Sequence, residues 1–149
     1  MQVLQHLLLA IAVYQVLGKH LNEVYNKEDY VCFEQLNVKR ERIAKIFDKD
    51  YKVKIDDPFT NEYGVCWLKL MGMLDDNDKL KWDTLVPLGM TFLELYDIEG
   101  KKEEISASII NACKNIVDAK SEYIIGILNN CIVDQIHLNY TTDSCLKSR

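Results

Sequence analysis

Five cysteines, at positions 32, 66, 113, 131 and 145, are spread along a chain of 149 residues, and none of them belongs to a C-x-x-C pair. In an exported chain of this size such a set reads as a disulfide framework. An odd count leaves at least one cysteine without a partner in its own chain. Cys145, in the polar tail TTDSCLKSR, is the natural leftover, either free or joined to a second copy in a dimer.

The export premise comes from the N-terminus. Residues 1–18, MQVLQHLLLAIAVYQVLG, contain no charged side chain. Leu7 to Val13 has the length of a signal-peptide apolar region, and Val16 and Gly18 are small enough for the −3 and −1 positions of a cleavage site. The segment lacks the usual Lys or Arg, so its one positive group is the terminal amine. It is also too short for a membrane span, and no membrane insertion is expected. The competing reading is a buried N-terminal helix. Cleavage after Gly18 makes residues 1–18 a signal peptide and 19–149 the mature, secreted domain, starting at Lys19. Asn139-Tyr140-Thr141 is a glycosylation sequon and fits the same compartment. The formal net charge of −5 comes without a basic stripe, which argues against a nucleic-acid partner.

The pattern along the chain is helical throughout. His20 to Leu36 places Leu21, Val24, Tyr25, Val31, Cys32 and Leu36 roughly on one face. Asn37 is a candidate N-cap for a second helix over Val38–Phe47, with Ile43, Ile46 and Phe47 inward. Asp48 to Pro58 reads as loop. Its alternation at Tyr51, Val53 and Ile55 suggests an extended piece with no partner strand nearby. Thr60 or Asn61 caps a third helix, in the stretch Glu62–Trp82, on which Cys66, Leu70 and Met73 recur at helical spacing. Gly72 and the run Asp75-Asp76-Asn77-Asp78 end that helix. A fourth helix over Trp82–Leu95 contains Pro87 and so starts late or kinks. A fifth, Lys102–Val117, carries the stripe Ile105, Ile109, Ala112, Cys113 and Ile116. A sixth starts near Ser121, with Ile124, Leu128, Cys131, Ile132 and Ile136 inward. Residues 139–149 read as an exposed tail, and no repeat or domain linker is evident. The class is all-α, a compact bundle of about six helices.

Chemistry-bearing motifs are scarce. DDNDKLKWDTLV begins like a calcium loop, but Leu80 stands where the loop needs Gly and Val86 where it needs a bidentate Glu. His6, His20 and His137 match no metal spacing with the cysteines. No G-x-S-x-G and no phosphate-binding loop occurs. No catalytic residue, metal or cofactor is therefore assigned, and the chain is not read as an enzyme.

The cysteines and the turn after the third helix resemble those of insect odorant-binding proteins of the pheromone-binding and general-odorant-binding superfamily. In that family the second and third cysteines lie on one helix with three residues between them, followed by a glycine and an acidic turn. Cys32 matches the first cysteine, Cys66 the third, Cys113 the fourth and Cys131 the sixth. Glu62 and about Ser121 occupy the second and fifth positions, which form one bond in the family. Losing both partners of that bond is the pattern of the minus-C subgroup. The resemblance implies bonds Cys32–Cys66 and Cys113–Cys131. It also implies a bundle around an apolar cavity and non-catalytic carriage of small hydrophobic molecules such as odorants or pheromones. On that reading the stripes supply the ligand-binding residues Leu70, Met73, Leu88, Phe92, Ile105, Ile109, Ile124 and Leu128, with Tyr123 as a polar anchor. A salivary or venom scavenger of the same fold, and a secreted interaction protein without a cavity, are the alternatives.

Overall fold

The computed structural model describes residues 25–118 and 123–141; the segment 1–18, Ser121 and Cys145 lie outside them. Among the described residues there are six α-helices: α1 (Lys27–Gln35), α2 (Arg40–Ala44), α3 (Pro58–Leu70), α4 (Val86–Leu95), α5 (Lys102–Asp118) and α6 (Ile124–Asn139). The class is all-α, as the periodicity indicates. The two bonds are Cys32–Cys66, with Cα atoms 6.0 Å apart, and Cys113–Cys131, at 5.8 Å.

Several helix ends fall elsewhere than the pattern suggests, and in each case cap chemistry is the reason. Asn26 caps α1: its side chain accepts from Asp29 N at 3.1 Å, and the Asp29 carboxylate accepts from Asn26 N at 2.7 Å. This reciprocal capping box fixes the start at Lys27. Asn37 does not begin the second helix; it ends the first, at φ 50°. Three helices end in this way, with Asn37, Gly72 and Asp97 left-handed and the next residue, Val38, Met73 or Ile98, donating its N–H back to Phe33, Leu68 or Leu93. These are Schellman ends, and Asn and Asp tolerate the conformation that Gly adopts freely. The cap of α3 is Asp57, not Thr60 or Asn61. Asp57 accepts from Thr60 N at 2.8 Å, and Pro58 fills the first turn, where its missing N–H costs nothing. Pro87 likewise sits in the first turn of α4, so that helix starts late, after a separate 3₁₀ turn at Trp82–Thr84.

The loops hold a repeat that the sequence hides. Asp48 accepts from the N–H groups of Asp50 and Lys52, and Phe47 pairs antiparallel with Val53. Asp75 accepts from the N–H groups of Asn77 and Lys79, and Leu74 pairs antiparallel with Leu80. The fourth residue of each turn, Tyr51 or Asp78, is left-handed. Val53 thus has the partner its alternation lacked. The acidic run resembling a calcium loop is a turn whose first carboxylate is bonded to its own backbone, and those bonds hold the Asp75 carboxyl below the usual range.

Two packed clusters result. The larger joins α4, α5 and α6 with the end of α3, around Leu68, Met73, Leu93, Ile109, Ile132 and Ile136. The smaller joins α1, α2 and α3 around Cys32, Phe33, Ile43 and Tyr63. In α1 Asp29, Cys32 and Phe33 are buried, while Val31 is exposed; in α5 Ile110 and Val117 are buried, while Ile116 is exposed. Tyr140, expected in the tail, is half-buried against the larger cluster. Glu62 is exposed on α3.

α6 also holds the first hairpin in place. Asn130 accepts from Val53 N at 2.9 Å and donates to Val53 O at 2.9 Å, in the manner of a neighbouring strand. At Gly126 the hairpin approaches so closely that an added Cβ would lie 2.9 Å from Ile55 Cα. Asn130→Ala leaves both backbone groups of the buried Val53 without partners. It is expected to lower unfolding free energy by about 2–3 kcal/mol, read as a lower urea midpoint at unchanged slope.

Candidate ligand-binding site

Between the two clusters lies an apolar cavity of about 150 Å³. Its wall on one side comes from the larger cluster: Leu68, Leu88, Phe92, Leu95, Ile125 and Leu128. On the other side stand Ile46, Phe47 and Tyr63 from the smaller cluster, and Trp67 packs against both. Tyr63 and Trp67 are one helical turn apart on α3, so the same helix face supplies both. Tyr51 and Val53, from the hairpin pinned by Asn130, close a further side. A volume of this order holds a molecule about the size of benzene.

Of the residues proposed from the stripes, Leu88, Phe92 and Leu128 line the cavity. Met73 and Ile109 are buried in the larger cluster away from it, and Ile105 and Ile124 are half-buried against that cluster. Leu70 and Tyr123 are exposed, at 42% and 45%. The reason at Leu70 is that α3 ends there and the chain reverses at Gly72, so the stripe through Cys66 and Leu70 does not reach Met73 as a helix. At Tyr123 the backbone is left-handed just before α6, and the helix turns Ile125 and Leu128 inward. Sequence reasoning missed the aromatic wall of Tyr25, Phe47, Tyr63 and Trp67. The signal available was the pair Tyr63 and Trp67, set four apart beside Leu68.

The polar end of the cavity is built on α1. Asp29 is buried, at 7% exposure. One of its oxygens accepts from Asn26 N and the other from the Tyr63 hydroxyl. Burial pushes the Asp29 carboxyl above the usual range, against the opposing pull of the Tyr63 and Asn26 bonds. Burial, and then the Asp29 charge, hold the Tyr63 hydroxyl far above the ordinary tyrosine value. The same two causes push Tyr25 up to about 12. The Tyr25 hydroxyl oxygen is buried and has no hydrogen-bond partner among the described residues. Its ring is seated edge-on against Phe33, which in turn stacks on Tyr63.

This arrangement can enclose a small apolar molecule and offer it a few polar contacts, which is the form of a ligand pocket. Among the described residues no group of His, Cys, Asp and Glu is placed to hold a metal ion, and no helix is long and apolar enough to cross a membrane.

A family model described as the PBP/GOBP family matches residues 17–135. No curated protein and no solved structure matches the chain.

Proposed function

The chain belongs to the PBP/GOBP family, and from that premise we propose that it is an extracellular, non-catalytic carrier of a small hydrophobic molecule of the odorant or pheromone kind. The observation that carries this reading is the apolar, aromatic-walled cavity between the two clusters. Leu88, Phe92 and Leu128 are its binding residues from the helix stripes, joined by Tyr63, Trp67 and Ile125. The uncharged leader at 1–18 and the two disulfides support export, with a mature domain from Lys19. Asn139 is exposed at the end of α6, a position open to glycosylation. Glu62, in place of a second cysteine, supports the minus-C type, and Cys145 is the thiol through which a second copy would join.

Calorimetric titration tests the reading. Compact neutral aromatic compounds are expected to bind with dissociation constants of about 10–100 μM, or about −5.5 to −7 kcal/mol. Leu88→Trp fills the cavity from a half-buried position, so a folded variant should lose that binding by at least about tenfold. A correctly folded wild-type protein that binds nothing across a chemically broad panel would remove the carrier reading.

A further inference from the structure

Of the polar groups around the cavity, most are already bonded within the protein. The Thr60 hydroxyl donates to the Asp57 carboxylate at 2.7 Å, and the Thr91 hydroxyl to Pro87 O at 3.2 Å. The Asn129 amide donates to Tyr51 O at 3.1 Å. The Tyr63 hydroxyl donates to Asp29, and each Asp29 oxygen already accepts a donor. The Tyr25 hydroxyl is different: it is buried, Tyr25 belongs to the lining, and the hydroxyl has no partner among the described residues. A buried hydroxyl left unbonded destabilises the protein, a cost that a ligand acceptor would relieve.

We propose that the cavity selects a compact neutral ligand carrying an oxygen acceptor, such as an aldehyde, ketone or ester. The Tyr25 hydroxyl donates to that oxygen, and Asp29 turns away the corresponding carboxylates. This rests on the carrier reading above and specifies its ligand class. The chemistry follows from what each group has left to give. Tyr25 has a proton to donate, and with its hydroxyl pushed up to about 12 it keeps that proton at neutral pH. An acceptor oxygen matches it; a pure hydrocarbon leaves it orphaned. Asp29 lines the same cavity. A ligand carboxylate placed at Tyr25 would bring a second negative charge beside the buried Asp29 carboxyl, where repulsion is stronger than in bulk water. An ammonium group finds both Asp29 oxygens already engaged and would give up its own hydration to enter.

The full chain and its Tyr25→Phe and Asp29→Asn variants, titrated calorimetrically with benzaldehyde, toluene, benzoate and benzylamine, decide the matter. In the wild type, benzaldehyde should bind about five- to tenfold more tightly than toluene, the worth of one hydrogen bond. Tyr25→Phe keeps the ring against Phe33 and removes an orphan hydroxyl, so the free protein should unfold no more easily than wild type. Its preference for benzaldehyde should fall to about onefold. Benzoate should bind at least about tenfold more weakly than benzaldehyde, and Asp29→Asn should narrow that gap. An equal benzaldehyde-to-toluene ratio in wild type and Tyr25→Phe would overturn the inference while leaving the carrier reading intact. Benzylamine binding more tightly than benzaldehyde would overturn it as well, and would assign Asp29 as the anchor. Absence of binding by all four would remove the carrier reading and this inference together.

Discussion

Replacing Cys32 and Cys66 together by alanine is expected to lower unfolding free energy by about 4 kcal/mol, and the melting temperature by roughly 10–20 °C. The bond links residues 34 apart in sequence, and constraint of the unfolded chain grows with the loop that is closed. The Cys113–Cys131 bond links residues 18 apart, for which the same argument gives about 3 kcal/mol. The difference in consequence should exceed the difference in loop length. Cys113 and Cys131 join α5 to α6 inside a large core that packs the same two helices anyway. Cys32 is fully buried in a cluster with few other buried members, Phe33, Ile43 and Tyr63. That cluster supplies one wall of the cavity. The Cys32/Cys66 variant should therefore also bind compact aromatic ligands more weakly at temperatures where it is still folded. Scanning calorimetry of both double variants, with titration on each, checks this. A larger loss of stability from the Cys113/Cys131 pair would show that the small cluster stands without its bond.

The contrast between the two clusters also marks where sequence reasoning succeeds. α5 is read as Lys102–Val117 and found as Lys102–Asp118, because a long amphipathic run between a turn glycine and a polar stretch has no competing interpretation. The bond pairing follows from the family pattern of the cysteines, which encodes long-range contacts that periodicity cannot. Leu88 and Phe92 lie four apart on α4 and face the cavity together. Periodicity says which side of a helix is buried; it does not say whether that side meets other side chains or a void. Met73 and Ile109 are as apolar as Leu128, yet they are enclosed by protein. The aromatic wall is less legible still. Asp29 and Tyr63 are 34 residues apart, on α1 and α3, and their hydrogen bond has no local signature. The paired hairpins have a weak sequence signature, because only their first Asp, their Lys and the flanking apolar residues recur. Their shared geometry comes from side chain-to-backbone bonds that many short polar runs can make.

Tyr63→Phe is expected to cost about 2–3 kcal/mol of stability near pH 7 and only about 1 kcal/mol near pH 4. The Asp29 carboxyl, raised by burial, titrates above its unfolded value of about 3.9. A carboxyl raised in the folded state contributes stability that is fully present below the unfolded value and is lost as pH rises through the folded one. The hydrogen bond from the Tyr63 hydroxyl holds that rise in check. Phenylalanine removes it, so the folded value climbs further and more stability is lost by neutrality. Near pH 4 the unfolded carboxyl is about half ionised in wild type and variant alike, so that contribution cancels, while the raised folded carboxyl is mainly neutral and the substitution removes little more than a bond between uncharged groups. Asp29→Asn supplies the control, since it has no proton to exchange in this range. In that background Tyr63→Phe should cost the same at both pH values, and the coupling between the two positions should appear near pH 7 alone. Urea unfolding of the four proteins at pH 4 and pH 7 gives the comparison. A wild-type background in which Tyr63→Phe costs equally at both pH values would mean that Asp29 is not ionised in the folded protein at neutral pH. The repulsion assigned to it against ligand carboxylates would then have no source.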